Sequence, residues 1–146
     1  MHKIDNVELI EFFRQSFKLS EVNAKQYSPL TLAYIGDCIY DLVIRTIVVS
    51  KANAPVNKLH REVSSLVKAN AQMRMLHAIE GEFTEEEMAV YKRGRNAKSF
   101  TSAKNATIVD YRTATGLEAL VGYLYLNNQM DRIVELIELG LNLMKE

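Results

Sequence analysis

The chain has 146 residues, of which 48% are hydrophobic and 25% charged, and its formal net charge is zero. This length and composition are typical of one folded domain, so we expect a single domain over residues 1–146 and exclude a disordered chain. No stretch approaches the about 18 consecutive apolar residues of a membrane span, and no signal-peptide pattern opens the chain. The single cysteine, Cys38, cannot form an internal disulfide, which favours the cytoplasm.

The hydrophobic spacing predicts an all-α fold. Glycine and proline are sparse, and no segment shows the alternating pattern of a strand. Ser28 and Pro29 are typical of a helix start, as is Thr84 before three glutamates. We expect six helices, over about residues 7–18, 29–50, 57–79, 85–96, 109–127 and 130–145, with a loop over residues 97–107.

Basic residues are unevenly distributed along this neutral chain. Residues 42–79 contain six lysines and arginines against one acid, Glu62, and residues 88–109 contain five basic residues and no acid. The compensating acids cluster elsewhere, for example at residues 85–87. A neutral protein can therefore present a positive face, although such runs are equally typical of an ordinary solvated helix surface.

Two carboxylates interrupt apolar segments. Asp37 is the only charge in residues 32–40, and Glu118 is the only charge in residues 116–122. An ionised carboxylate in an apolar wall requires a basic partner, hydrogen bonds or a metal cation. Oxygen ligands without a histidine or cysteine cluster indicate Mg²⁺ or Mn²⁺. The alternative is that both acids face solvent or pair with distant bases.

Small residues flank both acids, and this pattern is typical of helices that pack closely. They are Ala33, Gly36 and Cys38 around the first acid, and Gly116, Ala119 and Gly122 around the second. Such residues leave room for a metal ion and a phosphate, but close packing without any function would use them too. We expect Cys38 to be buried and Gly94 to be a point of flexibility.

The two segments together resemble motifs of the ribonuclease III family. One is the apolar helix with a glycine–aspartate pair at residues 32–40, and the other is the Glu-Ala-Leu-hydrophobic-Gly pattern at residues 118–122. The basic segment 93–98 and the short chain are similar to the compact Mini-ribonuclease III subgroup. The chain differs from the wider family at two carboxylate positions, which here are Ala33 and Thr115.

The resemblance implies a ribonuclease III-like helical bundle and a metal-dependent endoribonuclease that cuts double-stranded RNA. It implies that Asp37 and Glu118 are the catalytic and metal-binding residues, with Mg²⁺, or Mn²⁺ in its place, as the cofactor. It further implies a homodimer that matures the ends of large-subunit (23S) ribosomal RNA. Whether a ribosomal protein assists, and how many ions bind without carboxylates at Ala33 and Thr115, stays open.

Without an appended RNA-binding domain, the catalytic domain itself has to bind the duplex. The candidate RNA-binding residues lie in the second basic run: Lys92, Arg93, Arg95, Lys98 and Lys104. The apolar faces over residues 34–39 and 120–126 are candidates for contact with a symmetric partner.

Two other interpretations remain at this point. The first is a non-catalytic double-stranded-RNA-binding module with a decayed metal site, because the same basic residues would serve it. The second is a helical protein-interaction domain without a nucleic-acid partner. Magnesium-dependent cutting of a plain RNA duplex separates the first interpretation from an enzyme, and salt-dependent RNA binding separates the second.

Overall fold

The computed structural model describes residues 9–97 and 107–145. In this part of the chain it contains seven α-helices and no strand, which confirms the all-α prediction. In chain order the helices are α1 (Leu9–Phe17), α2 (Pro29–Lys51), α3 (Val56–Val67), α4 (Ala69–Ile79), α5 (Glu85–Asn96), α6 (Ile108–Leu126) and α7 (Met130–Met144). None of these helices is both long enough and apolar enough to span a membrane.

Helix α6 is the centre of the fold. It is buried around most of its circumference and packs against α2, α4, α5 and α7. Thr107 caps its first turn by accepting a hydrogen bond from the Asp110 backbone N–H at 3.0 Å. At its other end Asn128 adopts a left-handed conformation (φ 61°), which ends the helix as a glycine commonly does.

Helices α2 and α6 touch through their backbones. A Cβ atom added at Gly36 would overlap the Glu118 carbonyl oxygen and lie 2.7 Å from the Gly122 nitrogen. A Cβ atom added at Gly122 would overlap the Leu32 carbonyl oxygen. The absence of side chains at both positions is therefore a condition of this packing.

A second pair of glycines brings α5 against α6. A Cβ atom at Gly94 would lie 2.7 Å from the Ala119 Cβ, and one at Gly116 would lie 2.7 Å from the Tyr91 ring. Gly94 is buried within α5, so the predicted flexibility at this position is wrong. Its role is close packing, because the space beside it is filled by α6.

The expected third helix, over residues 57–79, is in fact two helices. Lys68 has an extended backbone (ψ 157°) and separates α3 from α4. The apolar residues on both sides continue a helical spacing, so the hydrophobic pattern does not reveal the break. The boundaries of the other helices agree with the prediction to within about two residues wherever the structure describes them.

Two predictions of burial are wrong. Cys38 is exposed, because it is not on the buried stripe of α2 that contains Leu32, Gly36 and Tyr40. Residues 120–125 were expected to meet a partner, but they are buried inside the chain. The apolar residues of this helix are needed for the core, where α2, α4 and α7 cover them.

Replacing Gly36 by alanine should destabilise the protein by about 3 kcal/mol or more, because the new methyl group forces α2 away from α6. The matched control is Gly81→Ala, since a Cβ atom at Gly81 meets nothing within 4 Å. The control should change stability by no more than about 1 kcal/mol. Urea unfolding measures both variants, and equal effects would contradict the backbone contact.

Candidate metal centre and nucleic-acid interface

The close packing of α2 on α6 brings the two isolated carboxylates together. Asp37 is exposed on α2, and Glu118 is partly buried on α6 beside Gly36, the point of closest approach. The Asp37 carboxylate lies near enough to the Glu118 carboxyl group to raise its pKa. Two acids that are 81 residues apart in sequence therefore share one position in the fold.

The carboxylate pair concentrates negative charge. Burial, together with the hydrogen bond and charge of Asp37, raises the pKa of Glu118 to about 8, while a hydrogen bond from Gln72 acts in the opposite direction. No lysine or arginine of the described residues forms an ion pair with either carboxylate. A cation at this position would favour the ionised form of Glu118.

An open cleft of about 690 Å³ lies over the pair. Asp37 and Glu118 both line it, with the remaining lining supplied by Leu30, Ala33, Tyr34, Ile35, Cys38, Tyr111 and Thr115. The Thr115 hydroxyl donates to the Tyr111 carbonyl oxygen at 3.0 Å. The cleft therefore gives a ligand access to both carboxylates from solvent.

The donor set fits a hard divalent cation. Nowhere in residues 9–97 and 107–145 do three or more histidine, cysteine, aspartate or glutamate side chains converge as a metal site. Mg²⁺ is commonly held by one or two carboxylates and retains several waters, so two acids in an open cleft suffice. Asp41, one turn further along α2, instead pairs with Arg45 at 2.7 Å.

Three of the candidate RNA-binding residues lie in the last turns of α5. Lys92 is exposed, and the Arg95 guanidinium lies 5.6 Å from the centre of the Tyr91 ring. Arg93 donates to the backbone carbonyls of Lys25 at 3.5 Å and Tyr27 at 3.3 Å, so part of its donor capacity is used within the chain. The other two candidates, Lys98 and Lys104, lie outside the described residues.

This basic end of α5 adjoins the carboxylate pair. Gly94, between Arg93 and Arg95, is packed against Thr115, Gly116 and Ala119 of α6, the same turn that carries Glu118. The positive and negative groups are thus on neighbouring helices that are held in direct contact. Such an arrangement suits a polyanion whose phosphates meet the basic residues while one phosphate approaches the acids.

Two further polar residues, Gln72 and Tyr40, lie beside Glu118, and Gln72 was not identified from the sequence. Gln72 is buried on α4 and donates from Nε2 to the Glu118 Oε2 atom at 3.4 Å. The Tyr40 hydroxyl is buried near Glu118. Its pKa is raised, first by burial and then by the charge of Glu118. Gln72 lies at helical spacing from Met75, Leu76 and Ile79, on the buried face of α4. This spacing was the signal in the sequence that could have identified Gln72 as a buried polar residue.

The raised pKa of Glu118 predicts how the metal-free protein responds to pH. The ordinary value is 4.5 and the folded value about 8, so the folded state holds a proton that the unfolded state releases between these values. The contribution of this group to stability is complete below about pH 4.5 and is lost as the pH rises through 8. Glu118→Gln cannot ionise and should show a weaker decline.

Urea unfolding in EDTA measures this difference. The stability of Glu118→Gln relative to the parent should increase from pH 5 to pH 9, by about 1.4 kcal/mol per pH unit at most. A constant difference over that interval would contradict the assigned environment of Glu118. The comparison cancels the titration of the other carboxylates, because both proteins carry them.

Comparison with known proteins identifies the family. The ribonuclease III domain family matches residues 30–129. Mini-ribonuclease 3 of Clostridium tetani is 49% identical over 88% of this chain and 86% of its own length. The Thermoanaerobacter protein of the same name is 41% identical over 94% of this chain and 97% of its length. The corresponding Enterococcus faecalis protein is 51% identical over 77% and 87%.

A solved structure shows the same fold. The crystal structure of a Fusobacterium nucleatum protein superimposes with a TM-score of 0.73 at 31% identity, covering 80% of this chain and 93% of that one. The matched family region contains both Asp37 and Glu118 as well as the whole of α5. The chain belongs to the ribonuclease III family, within its Mini-ribonuclease 3 group, and is an endoribonuclease.

Proposed function

We propose that this endoribonuclease uses Mg²⁺, held by Asp37 and Glu118, to hydrolyse phosphodiester bonds of double-stranded RNA. The observation that carries the proposal is the meeting of two carboxylates in an open cleft, beside the basic end of a packed helix and without an ion-pair partner among the described residues. Mn²⁺ has the same preference for oxygen ligands and would serve in its place. The acids supply the ligands, and the cleft leaves space for water and a phosphate.

The chemistry assigns separate tasks to the ion and to the chain. When bound, the ion lowers the pKa of a coordinated water and offsets charge on the phosphoryl group. The chain orients the ion, because α2 and α6 fix the two carboxylates relative to each other. Thr115 lines the cleft where the wider family has an aspartate, and its hydroxyl is available to accept from a water.

Duplex RNA is the substrate that the basic surface favours. Lys92 and Arg95 on α5 are positioned to contact phosphates, and Arg93 retains donors beyond those used for Lys25 and Tyr27. Lys98 and Lys104 remain candidates for RNA binding from the sequence alone. Such contacts read the shape of an A-form duplex and weaken with salt.

Lys92→Ala should therefore weaken duplex binding and reduce its salt dependence, and unchanged binding would remove Lys92 from the interface.

A single-turnover cleavage assay on a plain RNA duplex tests the metal site. Asp37→Asn and Glu118→Gln should each lower the cleavage rate by more than about 100-fold, because each removes a charged ligand. The matched control is Asp41→Asn, an acid on the same helix that pairs with Arg45. Its rate should stay near that of the parent.

Each alternative result has a definite meaning. Near-normal cutting by Asp37→Asn or Glu118→Gln would overturn the assignment of these residues. Binding of duplex RNA without any cutting by the parent protein in Mg²⁺ would favour the non-catalytic RNA-binding module. Salt-independent binding, or none, would favour a protein-interaction domain.

The cellular role follows from the family resemblance. We propose that the protein acts in the cytoplasm on the double-stranded stems that join the ends of the 23S ribosomal RNA precursor, with a ribosomal protein as a candidate assistant. Cutting of a precursor stem transcript at the mature ends, compared with and without ribosomal proteins, examines both statements. A precursor stem that stays uncut, while other RNA duplexes are cut, would contradict the assigned substrate.

A homodimer is the second part of the proposal, and an apolar stripe on α2 supports it. Leu30, Tyr34 and Cys38 follow each other at intervals of four residues along the cleft, and the Tyr34 side chain is 83% exposed. Ile108, at the start of α6, is exposed one turn before Tyr111, which lines the same cleft. A second copy seated on this stripe would cover these residues and bring two carboxylate pairs along one duplex.

Light scattering combined with size-exclusion chromatography tests the dimer. The parent protein should have the mass of two chains at micromolar concentration, and Tyr34→Glu should shift it to the mass of one because a charge enters the interface. The control is Val49→Glu, a charge at another exposed apolar position of α2. A monomeric parent would contradict the dimer, as would equal effects of the two variants.

A further inference from the structure

The junction between α3 and α4 leaves a backbone acceptor without its usual helical donor. In a continuous helix the Ala71 N–H would donate to the Val67 carbonyl oxygen. Because Lys68 is extended, the Ala71 N–H instead donates to the Lys68 carbonyl oxygen at 3.0 Å. The Gln72 side chain replaces the missing donor, because its Nε2 donates to the Val67 carbonyl oxygen at 2.9 Å.

The same amide group reaches the carboxylate pair. Gln72 Nε2 lies 3.4 Å from Glu118 Oε2, so its two hydrogens are directed at a backbone carbonyl and at the candidate metal ligand. The Val67 carbonyl oxygen can only accept, and this fixes the orientation of the amide, since the reversed group would place an oxygen against it. Among the described residues Gln72 Oε1 has no hydrogen-bond partner, so nothing there favours the reversed orientation.

Burial makes this contact rigid. Gln72 is only 2% exposed, and α4 packs against both α6 and α7. A long side chain in such a position has little freedom to leave its rotamer. The Glu118 carboxylate is therefore attached, through one amide, to a helix junction rather than to a mobile surface group.

The contact also presents a hydrogen-bond donor, not an acceptor, to the Glu118 carboxylate. A carboxylate oxygen that ligates a cation can accept a hydrogen bond but cannot donate one, so the Gln72 N–H suits the ligating form of Glu118. The Tyr40 hydroxyl is a different kind of neighbour. It is buried near Glu118, but it has no hydrogen-bond partner among the described residues.

We propose that Gln72 is a positioning residue that holds the Glu118 carboxylate in place for ion binding by linking it to the α3–α4 junction. This inference rests on the proposed metal function and deepens it. Gln72 does not touch the ion or the RNA. It acts on the direction of one carboxylate, as outer hydrogen-bonding partners of metal ligands generally do.

Direct Mn²⁺ binding, measured by electron paramagnetic resonance on the purified protein without RNA, tests the inference. Gln72→Met keeps an unbranched side chain of similar length and removes both donors. It should bind Mn²⁺ about 10-fold or more weakly, the effect expected for loss of an outer-shell partner. The matched control Tyr40→Phe removes a neighbouring buried hydroxyl and should leave the affinity within about 2-fold of the parent.

Asp37→Asn, measured in the same way, separates failure of the inference from failure of the proposed function. Weakened binding by Asp37→Asn with parent-like binding by Gln72→Met would overturn the role of Gln72 and leave the metal site intact. No weakening by Asp37→Asn would overturn the metal site itself. Circular dichroism identifies the folded variants.

A second measurement uses the parent protein and does not depend on whether Gln72→Met folds. The side-chain amide resonances of Gln72 should shift when Mg²⁺ is added, at the concentrations that shift the Glu118 backbone resonance. Resonances of Gln72 that stay fixed while those of Glu118 move would overturn the inference.

Discussion

The backbone contact between α2 and α6 is the constraint on which the site depends. Gly36 and Gly122 have no side chains, so the two helices approach until carbonyl oxygens and backbone nitrogens occupy the space of a Cβ atom. Asp37 follows Gly36, and Glu118 supplies one of the backbone atoms in contact. The same contact that closes the core thus brings the acids together, and a wider helix separation would leave two unrelated surface charges.

The proximity of Asp37 and Glu118 produces electrostatic repulsion that no ion pair among the described residues offsets. Two neighbouring carboxylates repel each other when ionised, and burial and Asp37 both raise the pKa of Glu118. The chain has basic groups nearby on α5, yet Arg93 is bonded to the backbone of Lys25 and Tyr27. In our account, a divalent ion and the phosphates of RNA complete the charge balance, and a partner chain covers Tyr34 beside them.

Local signals in the sequence predicted the helices well, and they singled out the two acids that α2 and α6 bring together. Ser28 and Thr84 are helix caps in the structure as their residue types indicate, and α6 is buried as its apolar composition suggests. The isolation of Asp37 and Glu118 within apolar segments was sufficient to single them out. The small residues around them predicted close helix packing, which Gly36 and Gly122 provide.

Features set by tertiary contacts could not be predicted in this way. The break at Lys68 has no proline or glycine to mark it, and it is stabilised by a side chain four residues later, Gln72. The exposure of Cys38 depends on which side of α2 meets α6, and both sides of that helix are apolar in sequence. The use of Gly94 for packing likewise requires its neighbour, Gly116.

Anomalous diffraction from Mn²⁺-soaked crystals of the protein tests the central claim most directly. The account predicts a manganese peak in the cleft, linked to carboxylate oxygens of both Asp37 and Glu118 either directly, at about 2 Å, or through one ordered water. A peak bound to only one of these residues, or manganese found only elsewhere on the surface, would contradict it.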